Sequence, residues 1–225
     1  MTKSPWNTLS WLLQNTPVIG VDIDGVLSDT ILAALKKAKK VYGVSMQFTD
    51  WTSWNPHHIE ILRQHGIKEL KDTVDFFYDI IREENGFQLY PIAGSGVWVN
   101  ALRIYGKTLK ALSWRDEDTR SWTQPWIHRH FPWSFSEVLL ANTGMVGKDI
   151  PKNQFAKEHG IGLMIEDNAH YAIDFVTHDI PTILLKAPWN IQVDISLYPN
   201  IFRLNDWSEL NKVLDNLLDS NALPS

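Results

Sequence analysis

The chain has 225 residues, 44% hydrophobic and 21% charged, a balance typical of a globular protein with a sizeable core. Its formal net charge of −5 provides no basic field for a nucleic-acid backbone, so we expect no nucleic-acid polymer as a partner. The absence of cysteine excludes disulfides and thiolate metal sites, and it agrees with the reducing cytoplasm, the location that we expect.

The first predicted element is a short amphipathic helix near the N-terminus. Residues 4–13 are too few and too interrupted by polar side chains to span a membrane, and they lack the basic leader of a signal peptide. We therefore expect this segment to pack on the core, and we expect no membrane partner.

A buried strand follows and ends in two acids. Residues 18–27 begin as an apolar, β-branched run, which is typical of a strand buried on both faces of a parallel sheet. Asp22 and Asp24 end this run, and Gly25 follows directly. Buried unpaired charge is costly, and a divalent cation between the carboxylates would remove that cost. Ligands of open α/β sheets bind beyond the carboxyl ends of strands, which is where these acids fall.

The next stretch of the chain has no strand pattern. Apolar spacing predicts three helices, over residues 29–42, 57–65 and 68–84, with an aromatic loop over residues 48–56. Four lysines of the first helix are interpreted as its solvated face: Lys36, Lys37, Lys39 and Lys40. Because the first strand leads into helices and not into a single crossover, we predict a small helical cap, residues 28–88, over the strand ends.

From residue 91 the pattern alternates between helix and strand. Helices are predicted over residues 97–105, 122–130, 152–159 and 169–177. Strands are predicted over residues 108–113, 137–141, 161–165 and 181–185. Alternating elements imply right-handed crossovers and a parallel sheet. The predicted fold class is therefore α/β: a Rossmann-like core, residues 1–27 and 89–225, whose parallel sheet is flanked by helices.

Polar side chains collect at the ends of the predicted strands. They are Asp22 and Asp24, Ser113, Lys152 at the head of a helix, and Glu166 with Asp167. Converging carboxylates repel one another unless a hard cation neutralises them, and oxygen ligands without Cys or His favour Mg²⁺. Mg²⁺ and a lysine can screen a phosphate that carboxylates alone would reject, so the pattern indicates phosphoryl chemistry.

Four of these segments, in order, resemble the motifs of the haloacid dehalogenase-like (HAD) phosphohydrolases. They are the Asp-Ile-Asp-Gly-Val run from Asp22, the strand-terminal Ser113, Lys152 at a helix start, and the Ile-Glu-Asp run that ends at Asp167. The resemblance extends over about residues 18–185. It implies a HAD-type α/β core with the helical cap inserted after the first strand.

Finer features resemble the 5'(3')-deoxyribonucleotidase branch of that family. The similar segments are residues 113–115, 123–127, 76–78 with 90–92, and 187–190. Two positions depart from the branch pattern: Ser113 replaces the commoner Thr, and Trp114 replaces a small residue. The branch implies a nucleoside monophosphate as the substrate.

The resemblance also implies a role for each acid. Asp22 would take the phosphoryl group as an aspartyl phosphate, and Asp24 would exchange protons with the leaving alcohol and the attacking water. Mg²⁺ would be held by Asp22, the Asp24 carbonyl and Asp167, with Glu166 orienting a metal-bound water. The implied cofactor is therefore Mg²⁺ alone.

The remaining implied roles concern the substrate. Ser113 and Lys152 would hold the phosphoryl oxygens, and Gly25 would let backbone amides approach the phosphate. The predicted substrate pocket also contains two residues of the second motif and four cap aromatics: Trp114, Arg115, Phe48, Trp51, Phe76 and Phe77.

Several of these positions also have a simpler interpretation. The acids of the first strand could be surface or helix-cap residues, and Glu166 with Asp167 could cap the next helix. Lys148 competes with Lys152 for the phosphate, and spacing favours Lys152. Any single cap aromatic could belong to the cap's own core. Four histidines are interpreted as surface residues and not as metal ligands: His57, His58, His128 and His130.

The predicted function is a Mg²⁺-dependent phosphomonoester hydrolase that acts on a nucleoside monophosphate. One alternative is a phosphatase for a sugar phosphate or another small phosphomonoester. A second alternative, from a different class, is a catalytically inactive nucleotide-binding protein. The predicted partner is in each case a small phosphorylated molecule, and a homodimer is compatible with the sequence.

Overall fold

A computed structural model describes residues 5–82, 88–142 and 150–213 of the chain. Six strands of this part form one sheet: β1 (Val18–Val21), β2 (Thr108–Asp116), β3 (Glu137–Asn142), β4 (Leu163–Glu166), β5 (Thr182–Leu185) and β6 (Ile201–Leu204). Their order in the sheet is β3-β2-β1-β4-β5-β6, and every neighbouring pair is parallel. The predicted parallel, Rossmann-like α/β fold is confirmed.

Eight α-helices accompany the sheet in the described ranges. They are α1 (Pro5–Asn15), α2 (Thr30–Tyr42), α3 (Glu60–Gln64), α4 (Leu70–Ile81), α5 (Ser95–Ile104), α6 (Arg120–His130), α7 (Lys152–Glu158) and α8 (Ala169–Thr177). None of the helices in the described part is long and apolar enough to cross a membrane.

The strands are buried because helices cover both faces of the sheet. On one face, residues of α1, α5 and α6 share a hydrophobic cluster with Ile19 and Val21 of β1. On the other face, residues of α7 and α8 pack against Leu112 and Met164. This two-sided burial explains why β1, β4 and β5 are short runs of apolar residues without a polar alternation.

β1 lies in the middle of the sheet, between β2 and β4. Val21 pairs with Ala111 on one side and with Ile165 on the other. Residues that follow Val21 therefore emerge between the end of β2, which carries Ser113, and the end of β4, which carries Glu166. This strand order is what brings the polar strand ends of the sequence to one edge.

The described part of the segment between β1 and α5 contains α2, α3 and α4, with short 3₁₀ turns at Phe48–Asp50 and Pro56–His58, and contributes no strand to the sheet. The division of the chain into a core and a cap at residues 28 and 88 stays a prediction. The predicted N-terminal helix is present as α1, which buries Leu9 and Leu13.

The prediction that the lysines of α2 all face solvent is wrong for Lys37. Its exposed fraction is 2%. Its Nζ donates to the Phe76 carbonyl at 2.8 Å and to Asp79 Oδ2 at 2.6 Å, both on α4. The ammonium can be buried because α4 supplies both acceptors, and this pairing anchors α4 to α2.

β6 is a strand that the sequence pattern did not predict. Its four residues include Arg203, which breaks the apolar run. Arg203 Nη2 donates to the carbonyls of Asn190 and Val193 at 3.1 and 3.0 Å. An arginine is accommodated in this edge strand because it donates hydrogen bonds to the loop that precedes the strand.

Candidate active site

The turn after β1 places Asp22 and Asp24 at the carboxyl edge of the sheet. Asp22 remains in the ladder, since its N–H donates to the Ile165 carbonyl at 2.9 Å. The chain then turns at Gly25, which has φ of 79°, and Gly25 N–H donates to the Ser28 carbonyl at 2.9 Å. Both carboxylates are nearly buried, with residue exposures of 5% and 8%.

Lys152 joins two of the strand-end carboxylates. It is the first residue of α7 and is 3% exposed. Its Nζ donates to Asp22 Oδ1 at 2.6 Å and to Glu166 Oε2 at 2.7 Å. It also lies 4.9 Å from the centre of the Tyr171 ring, which adds a cation–π contact. The ammonium thus sits where it can balance charge on Asp22 or on a group bound to it.

Asp24 is held by a different cation. Arg115 Nε and Nη2 donate to its two oxygens at 2.8 and 2.6 Å, and the Thr30 hydroxyl donates to Oδ1 at 2.6 Å. Burial alone would raise the pKa of Asp24, but the Arg115 charge and these hydrogen bonds hold that pKa below its usual value. Asp24 is therefore ionised at neutral pH, which is the form that a general base requires.

Asp167 completes a group of three acids with Asp22 and Glu166. One oxygen atom from each lies within 4.8 Å of the other two, and this is the single such group of acids and histidines in the described residues. Asp167 is 1% exposed, and no described residue donates a hydrogen bond to its Oδ2. A buried carboxylate oxygen without a donor is unfavourable unless a cation binds it.

The pKa values of Asp22 and Asp167 reflect how closely the three buried carboxylates lie together. Burial raises the pKa of Asp22 to about 8, with the Glu166 charge adding to the rise and Lys152 opposing it. Burial and the Glu166 charge raise the pKa of Asp167 well above its usual value. Both shifts have the sign expected when buried like charges are not fully balanced.

The donor set fits Mg²⁺. Three carboxylates and the one ammonium of Lys152 leave a formal charge of −2 among the four side chains. A divalent cation would balance this charge, and oxygen-only donors suit Mg²⁺. In that arrangement Asp22 and Asp167 would bind the ion. Glu166 is held by Lys152 and by the N–H groups of Asp167 and Asn168, at 3.1 and 3.0 Å, and would support the ligands from behind.

Gly25 is required by its closeness to Asp167. A Cβ atom built on Gly25 would lie 1.9 Å from Asp167 Oδ2, and the φ of 79° disfavours a side chain in any case. Any larger residue would displace the Asp167 carboxylate. The predicted glycine thus serves a close approach between the turn and the third acid.

Ser113 and Trp114 lie beside these charges at the end of β2. The Ser113 hydroxyl is 3.5 Å from Asp24 Oδ2 and accepts from the Arg115 N–H at 3.2 Å. Trp114 is half-buried, and its ring centre lies 6.4 Å from that of Tyr171. Both residues line the cavity described next.

A cavity of about 300 Å³ opens over the acids. Its inner end contains the strand-end side chains Asp22, Asp24, Ser113, Arg115, Lys152, Glu166 and Asp167. Its outer wall comes mainly from α4 and the preceding loop: Trp54, Asn55, Leu70, Thr73, Val74, Phe77, Tyr78 and Ile81. The cavity therefore has an ionic end and an aromatic, largely apolar wall.

The structure brings one of the four predicted cap aromatics to this wall. Phe77 lines the cavity and stacks on Trp54, with ring centres 5.8 Å apart and planes at 13°. Trp51 and Phe76 instead lie in the hydrophobic core, at 0% and 2% exposure. Phe48 is 46% exposed and contacts Trp189 edge-on at 5.8 Å. These three rings lie away from the cavity because their backbone positions turn them toward the interior or the outer surface.

Of the two lysines considered for the phosphate, Lys152 reaches the site, and Lys148 lies outside the described residues. Arg115 reaches the cavity as predicted, but its guanidinium is engaged by Asp24 and also donates to the Thr123 hydroxyl at 3.0 Å. The main role of Arg115 in this structure is therefore to neutralise the charge of Asp24.

Sequence reasoning missed several residues of the site. The Thr30 hydroxyl donates to Asp24, but nothing in the sequence distinguishes Thr30 from any other first residue of a helix. The wall residues of α4 follow helical spacing at positions 70, 74, 77 and 81, and this signal could have identified them as one face. Tyr171 occupies the first turn of α8, where no pattern distinguishes it.

Comparison with known proteins identifies the fold. No protein-family model and no curated protein matches this sequence. A predicted phosphatase from Clostridium acetobutylicum superposes with a TM-score of 0.63 at 15% identity, over 89% of this chain and 99% of that one.

Two further solved structures are similar. A mutant of CbbY from Rhodobacter sphaeroides, in complex with xylulose-(1,5)bisphosphate, has a TM-score of 0.53 at 13% identity over 87% of this chain and 96% of that one. A Had-superfamily hydrolase from Ehrlichia chaffeensis has a TM-score of 0.54 at 11% identity over 90% and 98%. Over most of its length the chain therefore shares its fold with these phosphatase and Had-superfamily structures.

Proposed function

We propose that this protein is a Mg²⁺-dependent phosphomonoester hydrolase that forms an aspartyl phosphate on Asp22. The observation that carries the proposal is the arrangement of Asp22, Glu166 and Asp167 around Lys152. These side chains lie at the carboxyl edge of a HAD-type sheet and have a formal charge of −2 that a divalent cation would balance. When bound, Mg²⁺ would screen the phosphate from the carboxylates.

The position of Asp22 supports its proposed role as the nucleophile. Its carboxylate faces the cavity, and Lys152 contacts it at 2.6 Å. One Asp22 oxygen would attack phosphorus as the bond to the leaving alcohol breaks, so that the phosphoryl group becomes an acyl phosphate on Asp22. Lys152 would donate to the phosphoryl oxygens, and the Ser113 hydroxyl lies at the same end of the cavity to do likewise.

The contacts of Asp24 support its proposed role in proton transfer. Arg115 and Thr30 fix the direction of its carboxylate and keep it ionised. In this form it would take a proton from the water that attacks the aspartyl phosphate, which releases inorganic phosphate and restores Asp22. Over one turnover the leaving alcohol takes up one proton and the attacking water gives one up to Asp24, so Asp24 returns to its ionised form when it releases that proton.

The cavity wall supports a nucleoside monophosphate as the substrate. Trp54, Phe77 and Val74 line the cavity with apolar side chains, and stacking of a base on an aromatic ring is worth about 1–3 kcal/mol. The CbbY mutant binds a sugar bisphosphate, which has two phosphates to neutralise. In this chain the described cations that line the cavity are Lys152 and Arg115, and carboxylates already hold both. A second phosphate would therefore lack a counter-charge among the described residues.

A phosphate-release assay tests the chemistry. Wild-type protein should release phosphate from phosphomonoesters with Mg²⁺ and not after chelation. Asp22→Asn should lower kcat by about 10³-fold or more, because it removes the nucleophile. Asp206→Asn is the matched control, since the same change is made at an exposed acid that caps a 3₁₀ turn and does not line the cavity. Full turnover by Asp22→Asn would overturn the covalent mechanism.

A paired substrate test addresses specificity. A deoxyribonucleoside monophosphate and deoxyribose 5-phosphate differ only in the base, so the ratio of their kcat/KM values measures what the base contributes. We expect the nucleotide to be preferred by at least about tenfold, as one stacked base implies. A preference for the base-free sugar phosphate, or for a bisphosphate, would instead support the sugar-phosphatase alternative. Tight nucleotide binding without phosphate release would support the inactive binding protein.

A further inference from the structure

Asn190 is a buried polar side chain close to the three acids, although it does not line the cavity. It lies in the loop between β5 and β6, and its exposed fraction is 0%. Its Nδ2 donates to the carbonyls of Asp167 and Leu185, each at 2.7 Å, and its Oδ1 accepts from the Ala187 N–H at 3.2 Å. The opposite amide orientation would set the oxygen against two carbonyls, so these contacts define which atom is nitrogen.

The Asn190 amide continues the sheet where the ladder between β4 and β5 stops. The last pair of that ladder joins Glu166 to Leu184. Asp167 and Leu185, one residue further along each strand, both offer carbonyls to the same Nδ2. One side chain therefore bridges the two strand ends at the level of Asp167.

The position of the Asp167 backbone matters because its carboxylate has little room. Its Oδ2 lies so close to Gly25 that a Cβ there would be 1.9 Å away. The same oxygen has no donor among the described residues. A small displacement of the backbone would therefore move the carboxylate relative to Asp22 and Glu166, and Oδ2 has no donor in the described part of the chain that would restore it.

We propose that Asn190 is a positioning residue that fixes Asp167 for Mg²⁺ binding. The inference rests on the proposed function, since it assigns a supporting partner to a ligand of that site. Partners behind metal ligands typically contribute about 10- to 100-fold to metal affinity when they are removed. Asn190 contacts the backbone carbonyl of Asp167 and not its carboxylate. Its contribution to Mg²⁺ affinity can therefore be measured without changing the charge of the site.

A matched control exists in the same loop. Arg203 Nη2 donates to the Asn190 and Val193 carbonyls at 3.1 and 3.0 Å. Arg203→Met would remove two hydrogen bonds from this loop while leaving the Asn190 amide and its contact with Asp167 in place. Loosening of the loop as a whole can thus be separated from loss of the bond to Asp167.

The test is a calorimetric titration with Mg²⁺ alone, without substrate, on folded wild type, Asn190→Ala, Asn190→Ser and Arg203→Met. Asn190→Ser keeps one donor and serves if the alanine variant does not fold. We expect Kd for Mg²⁺ to rise about 10- to 100-fold in Asn190→Ala, less in Asn190→Ser, and less than about twofold in Arg203→Met. Urea unfolding of each variant supplies the stability against which these values are compared.

Equal weakening of Mg²⁺ binding in Asn190→Ala and Arg203→Met would show a general loss of order and overturn the inference. Unchanged Mg²⁺ binding in the Asn190 variants, with an active wild type, would overturn it while leaving the proposed function standing. A wild type that binds no Mg²⁺ yet hydrolyses phosphomonoesters would overturn both the inference and the cofactor. A wild type that binds Mg²⁺ but releases no phosphate would overturn the function, and the Asn190 comparison would still decide the inference.

Discussion

The two ends of the cavity are stabilised by opposite kinds of interaction. At the ionic end, Lys152 and Arg115 hold Asp22 and Asp24 through directional bonds of 2.6–2.8 Å. At the outer wall, Phe77 and Trp54 meet as stacked rings 5.8 Å apart, where small shifts change little. A change of one atom at the ionic end leaves a buried charge unpaired, whereas a change at the wall alters contact area. We therefore expect chemistry to depend on the first region and substrate binding on the second.

The largest effect that sharpens this contrast is expected for Asp24→Asn. Loss of the proton-transfer group should lower kcat by about 10² to 10⁴-fold. The Mg²⁺ affinity should change little, because the Asp24 side chain lies outside the group of three acids. Turnover assays and Mg²⁺ calorimetry on the same preparation check both statements. Unchanged turnover would show that Asp24 is only the partner of Arg115.

The same variant should also reveal the cost of an unpaired charge. Arg115 is 5% exposed, so removing its counter-charge should reduce the free energy of unfolding by about 3 kcal/mol. Adding Arg115→Met removes the stranded guanidinium, and we expect it to recover much of that stability without recovering turnover. Urea unfolding of both variants measures the first part and kcat the second. Recovery of turnover by the double variant would assign the defect to Arg115 and not to proton transfer.

A smaller effect is expected at two neighbouring residues of α4. Phe77 faces the cavity, and Phe77→Ala should raise KM for a nucleotide about tenfold with little change in kcat. Phe76 is 2% exposed and packs near Trp51 at a ring distance of 6.3 Å. Phe76→Ala should therefore reduce the free energy of unfolding by about 3–5 kcal/mol while leaving KM close to that of wild type.

These two variants serve as controls for each other. They remove the same side chain from adjacent positions, so only the direction of the ring differs. Steady-state kinetics and urea unfolding, measured on both, separate contact with substrate from contact with the core. A larger rise in KM for Phe76→Ala than for Phe77→Ala would contradict the assignment of Phe77 as the ring of α4 that contacts the substrate.

The ionic end could be predicted from the sequence because parallel strands end at a common edge. Asp22, Asp24 and Asp167 follow strands with clear apolar runs, Ser113 lies within β2 three residues before its end, and the order of the strands brings these positions together. The aromatic wall could not be predicted to the same degree. Phe76 and Phe77 are chemically identical, and a helical face that lines a cavity has the same spacing as one that lines a core.

Contacts between residues far apart in the chain could not be predicted from the sequence either. Lys37 belongs to a run of lysines, and its burial depends on acceptors that α4 provides 39 and 42 residues later. Asn190 likewise depends on the carbonyl of Asp167, 23 residues away. The carbonyls of Phe76 and Asp167 leave no trace in residue type because they belong to the backbone. The Asp79 carboxylate is visible as an acid, but local composition does not show which lysine it contacts.

The smallest predicted effect concerns pH and the balance of charge at the ionic end. Without metal, the folded protein holds a proton on Asp22 up to about pH 8, whereas the unfolded chain releases it near 3.8. The folded state thus binds more protons between these values, so this carboxyl contributes stability that is lost as pH rises.

Mg²⁺ needs the ionised carboxylate, so the stability that Mg²⁺ adds to the folded protein should grow as pH rises toward 8. Each pH unit is worth about 1.4 kcal/mol per displaced proton, or about 3 °C in Tm for a chain of this size. Thermal unfolding with and without saturating Mg²⁺ at pH 6 and 8 measures the difference. Asp22→Asn should reduce it, and Asp167, whose pKa is also raised, should account for the remainder. An equal gain in wild type at both pH values would show that both carboxyls are already ionised without the metal.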